Sequence, residues 1–168
     1  MIPTPSISSV HLSLGIGVLT IHFYAIAILL GTLLALGISS RRISKKETLY
    51  DLAIVAIPSG IIGGRLYHVL TDPAPYFGTH GSLLAVLRID EGGMGIWGAI
   101  AAGLCAIWLR LKILRKLGKS ELNFLTVVDF LAPGTLVAQA IGRWGNWFNA
   151  ELFGRPLHRW WAVEIPLG

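Results

Sequence analysis

Residues Val18 to Ile38 read VLTIHFYAIAILLGTLLALGI, 21 positions with no Asp, Glu, Lys or Arg. As a helix the run covers about 31 Å, enough to cross a hydrocarbon core of about 30 Å. The pattern predicts a membrane span. Further apolar runs extend from Leu52 to about Leu70, from Met94 to about Leu109 and from about Leu122 to Ile141. The expected fold class is all-α, a polytopic transmembrane helical bundle of about four spans in one domain covering residues 1 to 168.

Composition agrees with that reading. The 168 residues are 54% hydrophobic and only 14% charged, with a mean hydropathy of +0.66, which does not suit a water-soluble domain. A net charge of +5 raises the question of nucleic acid, but the basic residues are placed topologically. Arg41, Arg42, Lys45 and Lys46 follow the first run, and Arg110, Lys112, Arg115, Lys116 and Lys119 follow the third. Basic loops mark the cytoplasmic side, whereas the loop after the second run carries Asp72, Asp90 and Glu91. The N-terminus is therefore expected outside, and the chain from Gly142 onward at the outer membrane boundary. No nucleic-acid partner is expected. No basic segment precedes the first apolar run, so no cleavable signal peptide is expected either. Cys105 is the single cysteine; it offers neither a disulfide nor a zinc pattern, and a metal site is not expected.

The segment after the fourth run, GRWGNWFNAELFGR (142–155), mixes Arg143, Asn146, Asn149, Glu151 and Arg155 with aromatic residues. An arginine at a membrane boundary costs free energy unless it meets water, a partner or an anion. If the segment is helical, Arg143, Asn146 and Gly154 share one side, with Glu151 about 80° away. A guanidinium beside an amide makes charge-assisted hydrogen bonds to phosphate, and in a membrane the anion at hand is a phospholipid headgroup. Glu151 either orients an arginine or serves as a base, and orientation is favoured, because a carboxylate beside a guanidinium is a weak base. The tryptophans read first as an interfacial belt. Tyr24 lies in the leaflet of Arg143, and Arg65 rides in the second run. Ser59, Gly60, Gly63 and Gly64 give small residues at four-residue spacing, a helix-packing signal. The segment SLLAVLRI (82–89) suits a short interfacial helix. GxSxG, HExxH, P-loop and dinucleotide patterns do not occur, which leaves hydrolase and ATPase readings without support.

Taken together, LTIHFYAIAILLG, GGRLYHVL, EGGMGIWGAI and above all GRWGNWFNAELFGRP resemble the prolipoprotein diacylglyceryl transferases. The resemblance runs through the whole chain. It implies an enzyme of the bacterial cytoplasmic (inner) membrane that moves the sn-1,2-diacylglyceryl group of phosphatidylglycerol to the lipobox cysteine of prolipoprotein signal peptides, without a metal or organic cofactor. On that likeness Tyr24, Arg143, Asn146 and Glu151 are the expected catalytic residues, and Arg143, Arg65 and Gly154 the expected contacts to phosphatidylglycerol. Two departures stand out. GGMGIW places Trp97 where many members have histidine, and an indole cannot accept the thiol proton. The family also runs to seven spans with a later arginine and an HPTQLYE-like motif, so the four spans here are expected to be its N-terminal portion. From the residues alone two other classes stay open, a lipid or anion transporter lined by Arg65 and Arg143, and a non-catalytic membrane scaffold.

Overall fold

The computed structural model describes residues 2–5, 7–14, 17–43, 45–79, 81–89, 92–150, 152 and 154–165. Its four long helices, α1 (Phe23–Ser40), α2 (Lys46–Thr71), α4 (Ile96–Lys116) and α5 (Phe124–Phe148), are each long and apolar enough to cross a membrane. Between α2 and α4 lie a single helical turn, α3 (Ala74–Phe77), and a 3-10 turn, Leu83–Leu87. The chain is a multi-pass membrane protein. It divides into two compact units, residues 1–42 with 129–168 and residues 43–128.

In the first unit an antiparallel hairpin, β1 (Ser9–Leu14) and β2 (Gly17–His22), pairs Ser9 with His22 and Leu14 with Gly17. The long helices fit the all-α expectation, and the hairpin is an addition to them. Val18 to His22, expected in the first span, are extended instead. Val18, Thr20 and Ile21 are β-branched and favour a strand, and β1 supplies the ladder that a lone apolar run lacks. The span proper begins at Phe23 and packs on α5 through glycine. A Cβ on Gly31 would lie 3.1 Å from the Ala138 carbonyl oxygen, and one on Gly134 would lie 2.6 Å from that of Ala35. Such approach of backbones is how spans associate where lipid removes the hydrophobic drive.

The second unit is built on α2 against α4. Here the small residues read from SGIIGG do pack: a Cβ on Gly63 would meet the Gly98 carbonyl oxygen at 2.5 Å, and one on Gly60 the Ala99 carbonyl oxygen at 3.4 Å. The backbones come close enough for the Gly95 amide to donate to the Gly64 carbonyl at 2.8 Å. Farther along, Arg110 clasps Asp51 with two bonds, Nη2 to Oδ1 at 2.6 Å and Nε to Oδ2 at 3.2 Å. This pair and the helix-forming Leu, Lys and Arg that follow carry α4 beyond the expected end at Leu109. Most of the second basic loop is therefore helix. It ends in a glycine cap: Gly118 has φ +65°, its amide donates to Arg115, and the Lys119 amide donates to Leu114. Elsewhere the helices leave Ile54, Leu70, Leu125 and Leu136 exposed, the surface a lipid-facing bundle needs.

Candidate functional site

The polar signature begins inside α5 rather than after it. Gly142 to Phe148 continue the helix, which starts with the Thr126 amide donating to Asn123 Oδ1 at 2.8 Å. Helix ends at Phe148, so Gly154 is not on a common helical face with Arg143. The chain instead turns back. Ala150 (φ 50°) and Leu152 (φ 51°) adopt the left-handed region, which costs a residue with a Cβ about 1–2 kcal/mol. Strain of this sort survives only where the surroundings fix it, and it clusters at functional sites. Both residues flank Glu151, which lies outside the described residues, as do Asp90 and Glu91 of the acidic loop.

The turn creates a cleft of about 310 Å³. Arg143, Asn146 and Trp147 line it from α5, Leu152 and Gly154 from the turn, and Val163 and Ile165 from the segment beyond. Three expected residues, Arg143, Asn146 and Gly154, thus meet at one cleft. Arg143 is exposed, and its Nη1 donates to the Leu152 carbonyl at 3.4 Å, the long limit for such a bond. A cation held that loosely can turn to an anion in the cleft. Asn146 is half-buried beside it and adds an amide donor.

The far wall is held by the start of the chain. Ile2 bridges Val163: its amide donates to Ala162 at 2.7 Å, and the Glu164 amide donates to the Ile2 carbonyl at 2.8 Å. The Thr4 hydroxyl also donates to the Glu164 carbonyl. A mostly apolar cleft with Arg143 and Asn146 as its polar side chains suits an amphiphile, whose headgroup and acyl chains meet different surfaces.

Tyr24 belongs to the same unit and reaches the same helix. A Cβ on Gly145 would lie 2.8 Å from Tyr24 Cδ2 and 3.4 Å from Ala27 Cβ, so the tyrosine ring occupies the space that this glycine leaves open. Phe23 stacks on Phe148 with ring centroids 4.9 Å apart. The beginning of α1 and the end of α5 are thereby joined at the signature.

Arg65, expected as a contact to phosphatidylglycerol, is placed differently, in the second unit. It is 6% exposed. Its Nε donates to Val86 at 2.9 Å, its Nη1 to Gly92 at 2.6 Å and Gly93 at 2.9 Å, and its Nη2 to Arg88 at 2.9 Å and to Ala85. A guanidinium has five N–H donors. All are occupied by carbonyl oxygens, and none is left for a lipid phosphate. Trp97, also in this unit, is 68% exposed near the start of α4.

Trp147, expected in the aromatic belt, lines the cleft, with ring contacts at 5.6 Å to both Trp144 and Phe148. Its Nε1 is buried and, among the described residues, has no acceptor. Only its position next to Asn146 hinted at this. Val163 and Ile165 carried no signal, because their place depends on the pairing with Ile2. Among the described residues no cluster of side chains could hold a metal ion.

A profile of the prolipoprotein diacylglyceryl transferase family matches residues 11–167. The chain is 48% identical over 170 residues to the phosphatidylglycerol–prolipoprotein diacylglyceryl transferase of Cutibacterium acnes, covering 99% of this chain and 54% of that protein. It is 45% identical to the enzyme of that name from Frankia alni, covering 98% of this chain and 42% of the relative. For the second such transferase of Streptomyces coelicolor the identity is 41%, covering 98% and 50%. The chain spans about half the length of these relatives.

Proposed function

The chain belongs to the prolipoprotein diacylglyceryl transferase family, and from that premise we propose that its protein transfers the sn-1,2-diacylglyceryl group of phosphatidylglycerol to the lipobox cysteine of a prolipoprotein signal peptide. The observation that carries this reading is the cleft that gathers Arg143, Asn146 and Gly154 beside an apolar wall. In the reaction the cysteine thiol gives its proton to solvent or to a base, and its sulfur attacks the glycerol carbon that bears the phosphate. A carbon–sulfur bond forms, the carbon–oxygen bond breaks, and glycerol phosphate leaves with the electron pair.

Negative charge grows on the departing phosphate, so a cation already in place lowers the barrier. Arg143 supplies it, with Asn146 donating to a second oxygen and Gly154 keeping that side of the cleft free of a side chain. Tyr24, packed on Gly145, brings a phenol to the same helix. Glu151 orients an arginine. The protein lies in the bacterial cytoplasmic membrane with its N-terminus outside, which opens the cleft to exported precursors, and no cofactor takes part. Family membership favours transfer over the transporter and scaffold readings.

The test is reconstitution of the full-length protein in vesicles containing phosphatidylglycerol with a lipobox peptide, following the diacylglyceryl peptide by mass spectrometry. Product is expected from the native protein, with a loss of about 100-fold or more on Arg143→Ala, the scale of removing one transition-state donor. Near-native turnover in that variant overturns the phosphate role. Lipid or anion flux without covalent product overturns the transfer.

A further inference from the structure

The connection from Thr71 to Gly93 joins two membrane spans, yet much of its described part is neither helix nor strand. Irregular backbone is tolerated at membrane depth only where its polar groups are satisfied by protein or by a water-filled cavity. Here one side chain satisfies five carbonyls. Arg65, near the end of α2, bonds residues 85, 86, 88, 92 and 93, and its guanidinium carbon lies 5.1 Å from the centroid of the buried Tyr76 ring. The edge of the same ring meets His68, with centroids 6.0 Å apart.

The face these bonds leave outward is apolar. Leu83, Leu84 and Leu87 are 67%, 68% and 78% exposed on a 3-10 turn of five residues. In water such a turn would expose its leucines while an arginine was buried to saturate carbonyls that water could satisfy. In the boundary of a bilayer both features favour the fold.

We propose that Arg65 is a positioning residue that takes the place of water at the carbonyls of residues 85, 86, 88, 92 and 93, so that the 3-10 turn Leu83–Leu87 is seated among phospholipid acyl chains through its leucines. The bilayer at the carboxyl end of α2 is the partner of this face. The proposal rests on the membrane-spanning reading of α2 and α4 and not on the transfer reaction. Its readout is therefore independent of activity.

The experiment places an environment-sensitive fluorophore on Leu84→Cys, in a Cys105→Ser background, with the protein reconstituted in phosphatidylglycerol vesicles. Quenching by brominated acyl chains is compared with quenching by aqueous iodide. With Arg65 intact the acyl quencher is expected to dominate. Arg65→Lys, which keeps the charge but has three donors, is expected to lower the ratio of lipid to aqueous quenching by about threefold or more as the freed carbonyls draw in water. Gly93→Ala provides a second disturbance without touching Arg65: a Cβ there would lie 2.6 Å from Arg65 Nη1 and 2.7 Å from His68 Nε2. It should move the ratio in the same direction. Dominant iodide quenching with Arg65 intact overturns the proposal, and so does shielding from both quenchers, which would mean that protein covers the face. A ratio unchanged by both substitutions overturns the role of Arg65.

Discussion

The ring of Tyr24 fills the gap left by the missing side chain of Gly145, with Cδ2 only 2.8 Å from where a Cβ would stand. A residue at the start of one span is thus positioned by a glycine inside the signature of another. Gly145→Ala is expected to displace the ring and to destabilise the protein by about 1–3 kcal/mol, the usual cost of overpacking. Tyr24→Phe keeps the packing and removes only the hydroxyl. If the phenol takes part in transfer, Tyr24→Phe lowers turnover by far more than its effect on thermal stability accounts for, whereas Gly145→Ala lowers both together. Unfolding midpoints in detergent, measured alongside product formation, check the pair.

Ala150 adopts φ 50°, a conformation in which glycine bears no Cβ penalty. Ala150→Gly is expected to raise stability by up to about 1 kcal/mol, the relief being offset in part by the greater freedom of an unfolded glycine. A fall in the unfolding midpoint would show that the methyl group has a packing role that outweighs the strain.

Asp51 and Arg110 form a bidentate pair in which each side chain is about one-third exposed, 31% and 32%. Arg110→Ala should cost between the roughly 1 kcal/mol of an exposed pair and the roughly 3 kcal/mol of a buried pair left with one partner. A double-mutant cycle with Asp51→Asn separates the coupling from the loss of either side chain. Additive effects would mean that the pair does not hold α2 to α4.

Trp97 cannot accept a proton; unless another group of the protein serves as base, the proposed transfer draws on thiolate already present in the peptide. Product formation is then expected to rise about tenfold per pH unit below the free cysteine value of about 8.5 and to level off above it. Trp97→His is not required for activity. A rate independent of pH from 6 to 8 in the native protein would point to a base within the protein, and activity appearing only after Trp97→His would show that the native chain lacks one.

What the sequence made legible is what periodicity and composition encode. Four charge-poor runs match the four long helices among the described residues, and SGIIGG marks a packing face, because small residues at four-residue spacing leave little else for a helix face to do; that α4 is its partner comes from the structure. The hairpin was hidden for a physical reason: Val18 to His22 are as apolar as a span, and only pairing with Ser9–Leu14 makes them a strand. At the site, the clustering of Arg143 and Asn146 was visible in spacing. That Gly154 meets them through a left-handed turn instead of a helix was not, since neither Ala150 nor Leu152 announces positive φ. The partners of Arg65 were not legible, because the carbonyls that occupy it lie 20 to 28 positions downstream.

The contact between Thr4 and Glu164 joins positions 160 apart, whereas Gly63 and Gly98 meet across a short connection. Order of synthesis therefore separates the two units. The α2–α4 clasp has all its residues once Lys116 has been made, but the cleft wall at Val163 must wait for almost the whole described chain, with Ile2 left without that partner meanwhile. During biogenesis the long helices are complete before the cleft is, and a ribosome stalled ahead of Val163 would expose a membrane-embedded intermediate whose cleft lacks this wall.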